Sequence, residues 1–218
     1  MIKRQYLSHF PTLCCALCCL LFLSACTLIS TQPEREPSKL TWTERANTLS
    51  EISRWTLSGR FGAKNSSDSW SGSINWHQDQ SRYTINISGP LSTGSVEISG
   101  DDGVSELFIS DEESYGASDP EELLELHTGL RLPMNNLRYW LVGLPSPPKQ
   151  NDDDSEIEIQ DLMEFDDFGR LKKLSQQGWV VSFRRYTFVD DVELPNKIFL
   201  VNHEFDVRLI IQRWNILT

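Results

Sequence analysis

The sequence predicts an α+β domain in which a curved antiparallel sheet of ten or eleven strands wraps its own helices. Three observations predict this fold. Most of the chain alternates apolar and polar residues with a period of two, three stretches repeat apolar residues at helical spacing, and turn residues separate the strand candidates at short intervals. One-sided strands at this spacing are typical of a meander with one face inside. The helices would pack on that inner face.

The first 25 residues predict an export signal that is removed. Lys3 and Arg4 supply a positive start, and residues 13–23 are eleven consecutive apolar residues. A spanning helix needs about 20 such residues, whereas eleven fits the apolar core of a signal peptide. We therefore exclude residues 1–25 from the fold. Of the five cysteines only Cys26 then remains, and a lone cysteine cannot form a disulfide within its own chain.

The tetrad at residues 23–26, "LSAC", resembles the lipobox of bacterial lipoproteins. By that resemblance Cys26 carries a thioether-linked diacylglycerol and an acylated amino group. Several acyl chains make a durable anchor, because each buried methylene contributes about 0.8 kcal/mol. The alternative is an ordinary secretory cleavage site with a spare thiol. Thr27 follows the cysteine in place of the aspartate that resembles an inner-membrane retention signal, which favours the periplasmic face of the outer membrane.

The chain is acidic, with 20 Lys and Arg against 31 Asp and Glu and a net charge of −11. This charge makes nucleic acid and anionic lipid heads poor partners. Membrane attachment would therefore depend on the acyl anchor and on apolar contact. Residues 26–40 are polar and lack periodicity, which predicts a lipid-anchored tether. Residues 41–218 suit one domain with its own core, which we expect to be a monomer.

The first element of the domain is predicted to be a helix from Trp42 to Trp55, capped by Thr43, with Leu49 and Ile52 on its apolar face. After Ile52 the period falls to two. Alternating segments then predict four strands, at residues 55–61, 70–76, 82–88 and 95–99.

Two further helices interrupt the strands. Asp119 supplies an N-cap ahead of Pro120, and Gly129 ends the first of these helices. Pro133 opens the second, and Gly143 ends it. The remaining strand candidates are residues 104–110, a short strand around Tyr115, and residues 162–165, 171–176, 179–188, 197–202 and 205–214.

Neither catalysis nor metal binding has a sequence signature here. The histidines after the signal, His77, His127 and His203, lie in different elements, and paired ligand spacings such as H-E-x-x-H or C-x-x-C are absent. The acidic stretch at residues 151–158 lacks the glycine and the trailing glutamate of an EF-hand loop, so a solvated charge run is the better interpretation. We expect no metal, no cofactor and no enzymatic activity.

All seven tryptophans follow the signal peptide, and most lie on apolar faces. A filled core is the more usual explanation for any one of them, and taken together they would also suit a cavity wide enough for an apolar ligand. Only packing density separates the two. The residues that would line such a cavity are Trp55, Leu57, Phe61, Trp70, Ile74, Trp76, Tyr83, Ile85, Ile87, Val96, Ile98, Leu137, Trp140, Leu141, Trp179 and Val181.

The stretch "SGPLSTGS" at residues 88–95 joins two strands and carries one large apolar residue near its tip. Gly89 and Pro90 predict a turn, with Leu91 at its end. Leu91 either folds back on the domain or points outward. If it points outward, its insertion into lipid contributes roughly 1.5–3 kcal/mol, which is too little for an anchor.

The order of motifs resembles the LolB family of outer-membrane lipoprotein receptors over nearly the whole domain. The most specific matches are "GPL" within "YTINISGPLSTGSVEI", "LPMNNLRYWLVGLP", and the closing strand "VRLIIQRWNI". The resemblance implies an incomplete antiparallel β-barrel with helices covering a hydrophobic cavity. It also implies that Gly89, Pro90 and Leu91 belong to a protruding loop that engages the membrane.

The function implied by this resemblance is transfer without a nucleotide or metal. LolB-like proteins accept the acyl chains of lipoproteins from the periplasmic carrier LolA and insert them into the outer membrane, at its inner leaflet. The partners would be LolA, acylated lipoproteins and outer-membrane phospholipid. Three alternatives stay open: a membrane-tethered binder of another apolar ligand, a non-catalytic structural lipoprotein with a filled core, and a hydrolase in which His127 or His203 meets a serine.

Overall fold

The structure is a computed structural model that describes residues 36–89, 94–101, 103–109, 114–148 and 162–217. The elements below all belong to one compact unit, Pro37–Thr218. The predictions for Cys26, for Pro90 and Leu91, and for the acidic stretch at residues 151–158 fall outside the described residues.

A single antiparallel sheet dominates the described part of the chain. Its eleven strands are β1 Arg54–Lys64, β2 Ser69–Asp79, β3 Arg82–Ser88, β4 Ser95–Asp101, β5 Val104–Ile109, β6 Tyr115–Ala117, β7 Met163–Phe165, β8 Leu171–Gln176, β9 Trp179–Val189, β10 Val192–Val201 and β11 Asp206–Ile216. Their order is β6-β5-β4-β3-β2-β1-β11-β10-β9-β8-β7. The first strand therefore pairs with the last, while β6 and β7 remain as two edges. The sheet is an incomplete barrel, which confirms the predicted fold class.

Alternation along the strands directs one face of the sheet inward. In β1, Trp55, Leu57 and Phe61 are buried, while Thr56, Ser58 and Arg60, on the other face, are more exposed. Two inward glycines, Gly59 on β1 and Gly72 on β2, lie so close to neighbouring backbone that a side chain would not fit. A Cβ on Gly59 would clash with the Ile210 carbonyl oxygen, at the bulge in the β1–β11 pairing. Such bends favour residues without a side chain.

The helices are α1 Trp42–Ser50, α2 Pro120–Thr128 and α3 Met134–Val142. The predicted starts and stops of α2 and α3 are confirmed. Asp119 accepts a hydrogen bond from the Glu121 amide at 2.9 Å. Gly129 and Gly143 end the two helices with φ values of 72° and 87°, in the left-handed region that favours glycine.

The predicted start of α1 at Trp42 is confirmed, but its predicted cap and its predicted end are wrong. Thr41, not Thr43, caps the helix, because its side chain accepts from the Glu44 amide while Glu44 accepts from the Thr41 amide at 2.9 Å. The helix ends at Ser50, and Trp55 lies on β1. The helical spacing of Trp55 was a coincidence, since pairing of its strand with β2 and β11 decides its conformation.

The strand prediction at residues 197–202 was also too short. β10 begins at Val192 and contains Pro195. A proline lacks the amide needed for a regular ladder, so it argued against a strand there. The β9–β10 pairing accommodates it with register shifts on either side of Lys197. The Pro195 carbonyl then accepts from the Trp214 indole at 2.9 Å.

A buried ion cluster joins α1 to the β7–β8 turn and to β10. Arg45 Nη2 lies 3.2 Å from Glu193 Oε2, and Arg170 Nη1 lies 2.8 Å from Glu193 Oε1. Arg170 also pairs with Asp166 at 2.7 Å. Burial disfavours the Arg170 charge, but its hydrogen bonds to the two carboxylates outweigh burial and raise its pKa. Because Arg45 also donates to the Ser38 carbonyl, the cluster attaches the end of the predicted tether to the sheet.

Candidate functional site

An apolar pocket lies between the concave face of the sheet and the segment 132–141, which runs into α3. We call this segment the cover. All the lining residues except Arg60 are apolar. They are Leu57, Arg60, Phe61, Ile74, Trp76, Ile85, Ile87, Leu132, Met134, Leu137, Leu141, Val207, Leu209 and Ile211. The cavity volume is about 20 Å³. A water molecule needs roughly 10–15 Å³ measured this way, so the pocket is nearly closed in this conformation.

The structure brings together half of the sixteen residues predicted for the cavity. Those that line the pocket are Leu57, Phe61, Ile74, Trp76, Ile85, Ile87, Leu137 and Leu141. The other eight, Trp55, Trp70, Tyr83, Val96, Ile98, Trp140, Trp179 and Val181, belong to the surrounding core or pack against it. The role of the lining residues in binding acyl chains stays a prediction.

Several tryptophans are core residues in this conformation. Trp55 is 1% exposed, and its ring lies 5.6 Å from Trp76 and 5.2 Å from Trp214. Trp70 is only partly buried, and its indole donates to the Thr128 carbonyl at 3.1 Å. Of the two interpretations of the tryptophans, the filled core describes most of them, while Trp76 also forms part of the pocket wall.

Sequence reasoning missed five apolar lining residues. Val207, Leu209 and Ile211 occupy alternate positions of β11, so their inward direction was readable from the period of two. Leu132 and Met134 flank Pro133, the N-cap of α3, where the helical period has only begun. Their position depends on how the cover packs, and local patterning carries no signal for it.

The cover is attached to the sheet through the β8–β9 turn. The Trp140 indole donates to Gln176 Oε1 at 2.9 Å, and the Gln176 amide donates to the Ser146 carbonyl at 2.8 Å. Asn136 donates to Gln177 Oε1 at 2.6 Å. These bonds hold the cover at Asn136 and Trp140, while the cover residues that line the pocket, Leu132, Met134, Leu137 and Leu141, are apolar. Apolar contacts are non-directional, so a hydrocarbon chain can replace them without leaving a hydrogen bond unmade.

The loop that carries Leu91 is described only at its two ends. The Gly89 amide donates to the Gly94 carbonyl at 3.1 Å, and Gly94 has a φ of 79°. This bond closes the loop at its base, between the end of β3 and the start of β4. Gly89 is the only predicted loop residue within the described part of the chain.

The polar groups that could support other chemistry are dispersed. His127 packs on Tyr115 with ring centroids 3.9 Å apart. Across the described residues, the structure contains no group of three or more His, Cys, Asp or Glu side chains that could hold a metal ion. In the same residues, no helix is both long and apolar enough to cross a bilayer. Burial raises the pKa of the Tyr186 phenol, which donates to the Leu171 carbonyl at 2.6 Å as a structural contact.

The chain resembles known proteins in both sequence and fold. A family model described as outer membrane lipoprotein LolB matches residues 53–214. Outer-membrane lipoprotein LolB of Nitrosococcus oceani is 36% identical over 202 residues, covering 90% of this chain and 96% of that protein. Its counterpart in Pseudomonas paraeruginosa is 33% identical over 197 residues, covering 89% and 91%. The fold resembles a LolA superfamily protein from Nitrosomonas europaea, with a TM-score of 0.51 and 9% identity over 82% of this chain and 94% of that chain.

Proposed function

We propose, because the chain belongs to the LolB family of outer-membrane lipoproteins, that it receives acylated lipoproteins at the outer membrane and releases their acyl chains into the inner leaflet. The apolar pocket beneath the cover is the observation that carries this proposal. It is lined almost wholly by hydrocarbon side chains and lies under a segment held by few polar bonds. The donor would be the periplasmic carrier LolA.

The closed pocket sets a condition on the mechanism. A cavity of about 20 Å³ cannot hold an acyl chain, so the cover must move outward as the chain enters. The acyl chain would then take the place of Leu132, Met134, Leu137 and Leu141 against the sheet. Apolar surface is exchanged for apolar surface, which keeps the cost of opening low while water stays excluded.

Transfer in one direction needs no chemical energy at the receptor. The hydrophobic effect is proportional to the apolar area removed from water, so chains move downhill if each site buries them better than the one before. A receptor whose cover must be displaced binds with moderate affinity, since opening subtracts from the gain on burial. Moderate affinity permits release to the bilayer, which removes the whole chain from water.

We expect Leu91→Glu to abolish delivery while leaving uptake intact. A leucine inserted into lipid contributes roughly 1.5–3 kcal/mol, which corresponds to about 10- to 150-fold, and a carboxylate in its place is repelled by the apolar phase. The assay is transfer of a labelled lipoprotein from the carrier to the receptor and then to liposomes. Leu91→Met is the matched control and should deliver normally. Equal delivery by Leu91→Glu and the wild type would remove Leu91 from the mechanism.

We expect Cys26→Ala to release the protein from the membrane fraction. The lipobox cysteine is the predicted site of the acyl anchor, and the domain is too acidic to be held by lipid head groups. Fractionation of cells that express each variant gives the measurement, with Thr27→Ala as the control. If the alanine variant at position 26 stays with the outer membrane, the anchor lies elsewhere.

A further inference from the structure

A second pocket adjoins the apolar one and differs from it in chemistry. Its volume is about 290 Å³, far above the roughly 10–15 Å³ that one water molecule needs on the same measure. We call it the polar pocket, and its wall includes Gln78, Ser81, Asp101, Ser105 and Arg138. Trp76 and Met134 line both pockets, so the two spaces share a boundary.

Four segments converge on the polar pocket. The β2–β3 turn contributes Ser81, and the end of β4 contributes Asp101. The start of α2 contributes Ser118 and Pro120, and the first turn of α3 contributes Asn135. Because α3 also belongs to the cover, one helix borders both pockets. A ligand that displaces the cover would therefore meet the polar pocket at the same time.

The boundary between the pockets is fixed by hydrogen bonds. Trp76 donates from its indole to Gln78 Oε1 at 2.9 Å, and Gln78 in turn donates to the Gln80 carbonyl at 2.8 Å. Gln78 is only 2% exposed, so this amide is held in one orientation. The indole ring therefore keeps an apolar face for one pocket and a bonded edge near the other.

The described lining of the polar pocket is balanced in charge and rich in neutral polar groups. Among the residues that the structure describes there, the charged ones are a cation, Arg138, and an anion, Asp101. Tyr83 lies 2.9 Å from the Ser105 hydroxyl, and burial raises the pKa of its phenol, so it remains a neutral hydroxyl at physiological pH. Hydroxyls and side-chain amides offer both donors and acceptors without net charge. A phosphate would favour an excess of cations, which this pocket lacks.

We propose that the polar pocket receives the ester and amide groups that link acyl chains to the N-terminal cysteine of a lipoprotein, while one chain enters the apolar pocket. This inference rests on the proposed function. Ester and amide carbonyls are neutral acceptors, and the adjoining amide N–H is a donor, which matches the balanced lining. Burying a polar group without a hydrogen-bond partner is unfavourable. An amphiphile therefore binds more tightly when its polar groups meet the polar pocket and its hydrocarbon chain meets the apolar pocket.

Asn135→Trp tests the polar pocket without changing the apolar one. Asn135 is exposed at the start of α3, so an indole at this position can fill the polar pocket from its rim. Two probes are compared on the delipidated protein, a tripalmitoylated S-glyceryl-cysteinyl peptide and the apolar dye N-phenylnaphthylamine. We expect at least a tenfold loss of lipopeptide affinity and a change of less than twofold for the dye. Asn47→Trp, on the exposed face of α1, is the matched control and should alter neither.

The outcomes separate this inference from the function on which it rests. A wild type that binds the dye but no lipopeptide would overturn both. Equal lipopeptide affinity for Asn135→Trp and the wild type would overturn the polar pocket alone. If Asn135→Trp weakens hexadecan-1-ol, which has neither an ester nor an amide, as much as the lipopeptide, the assignment to ester and amide groups is wrong. Ser118→Trp fills the pocket from its other side and gives the same test should Asn135→Trp fail to fold.

Discussion

Replacing Leu137 with alanine is expected to lower the free energy of unfolding by about 2–5 kcal/mol and, at the same time, to strengthen binding of a small apolar probe. Leu137 is 4% exposed and lines the apolar pocket from the cover. Its truncation enlarges a cavity that already has an apolar wall, and such cavities stay dry and accept apolar molecules. Thermal or urea unfolding gives the first quantity, and titration with the dye gives the second.

Leu124→Ala is the matched control for this prediction. Leu124 is 1% exposed on α2 and does not line the apolar pocket. Its truncation should cost a similar amount of stability without increasing the affinity for the probe. If both variants bind the probe more tightly, general loosening of the core explains the gain, and the pocket has no special role. If Leu137→Ala binds no better than the wild type, the site collapses around the missing atoms.

Replacing Glu193 with alanine is expected to lower the free energy of unfolding by about 3–5 kcal/mol. Glu193 is 4% exposed and pairs with both Arg45 and Arg170. Arg170 keeps Asp166 as a partner, but Arg45, itself 4% exposed, is left with only backbone carbonyls to compensate its charge. A buried charge that loses its counter-ion is strongly unfavourable. Equilibrium urea unfolding of the soluble domain gives the measurement.

The surface pair between Lys64 and Asp206 provides the control for Glu193→Ala. Its atoms lie 3.0 Å apart, close to the distance in the buried pair, but its side chains are 66% and 50% exposed. Solvent screens such a pair, so Asp206→Ala should cost less than about 1 kcal/mol. Similar losses for the two variants would show that the Glu193 cluster is solvated in solution. Because this cluster holds α1, its loss should also free the segment that leads to the tether.

The small volume of the apolar pocket means that, in the proposed function, an acyl chain must displace the cover. A receptor with a permanently open cavity would expose apolar surface to water whenever it held no cargo. In this structure the cover fills that space with its own side chains, so the region packs as an ordinary hydrophobic core. The Leu137→Ala experiment measures how much of that core the cover contributes. Acyl chains would then compete with the cover for one surface of the sheet.

Much of the architecture was predictable because it depends on local patterns. The period of two located most strands, and a strand such as Leu171–Gln176 was placed at its observed ends. Asp119 and Gly129 marked α2 because capping is a matter of a few consecutive residues. Errors arose where local signals were ambiguous. Trp55 matched a helical spacing but lies on a strand. Because Pro195 argues against a strand, the first half of β10 was not predicted.

The sequence by itself determined the order of strands and helices, the inward face of the strands and the family. Only the tertiary structure decided which inward residues meet at the apolar pocket, how little space they leave, and that Arg45 finds Glu193 148 positions away. The reason is physical. Periodicity reports the side on which a residue lies, and this is a local property of the backbone. Cavity volume and ion pairing instead depend on how side chains from distant strands pack against one another. No local sequence pattern contains this information.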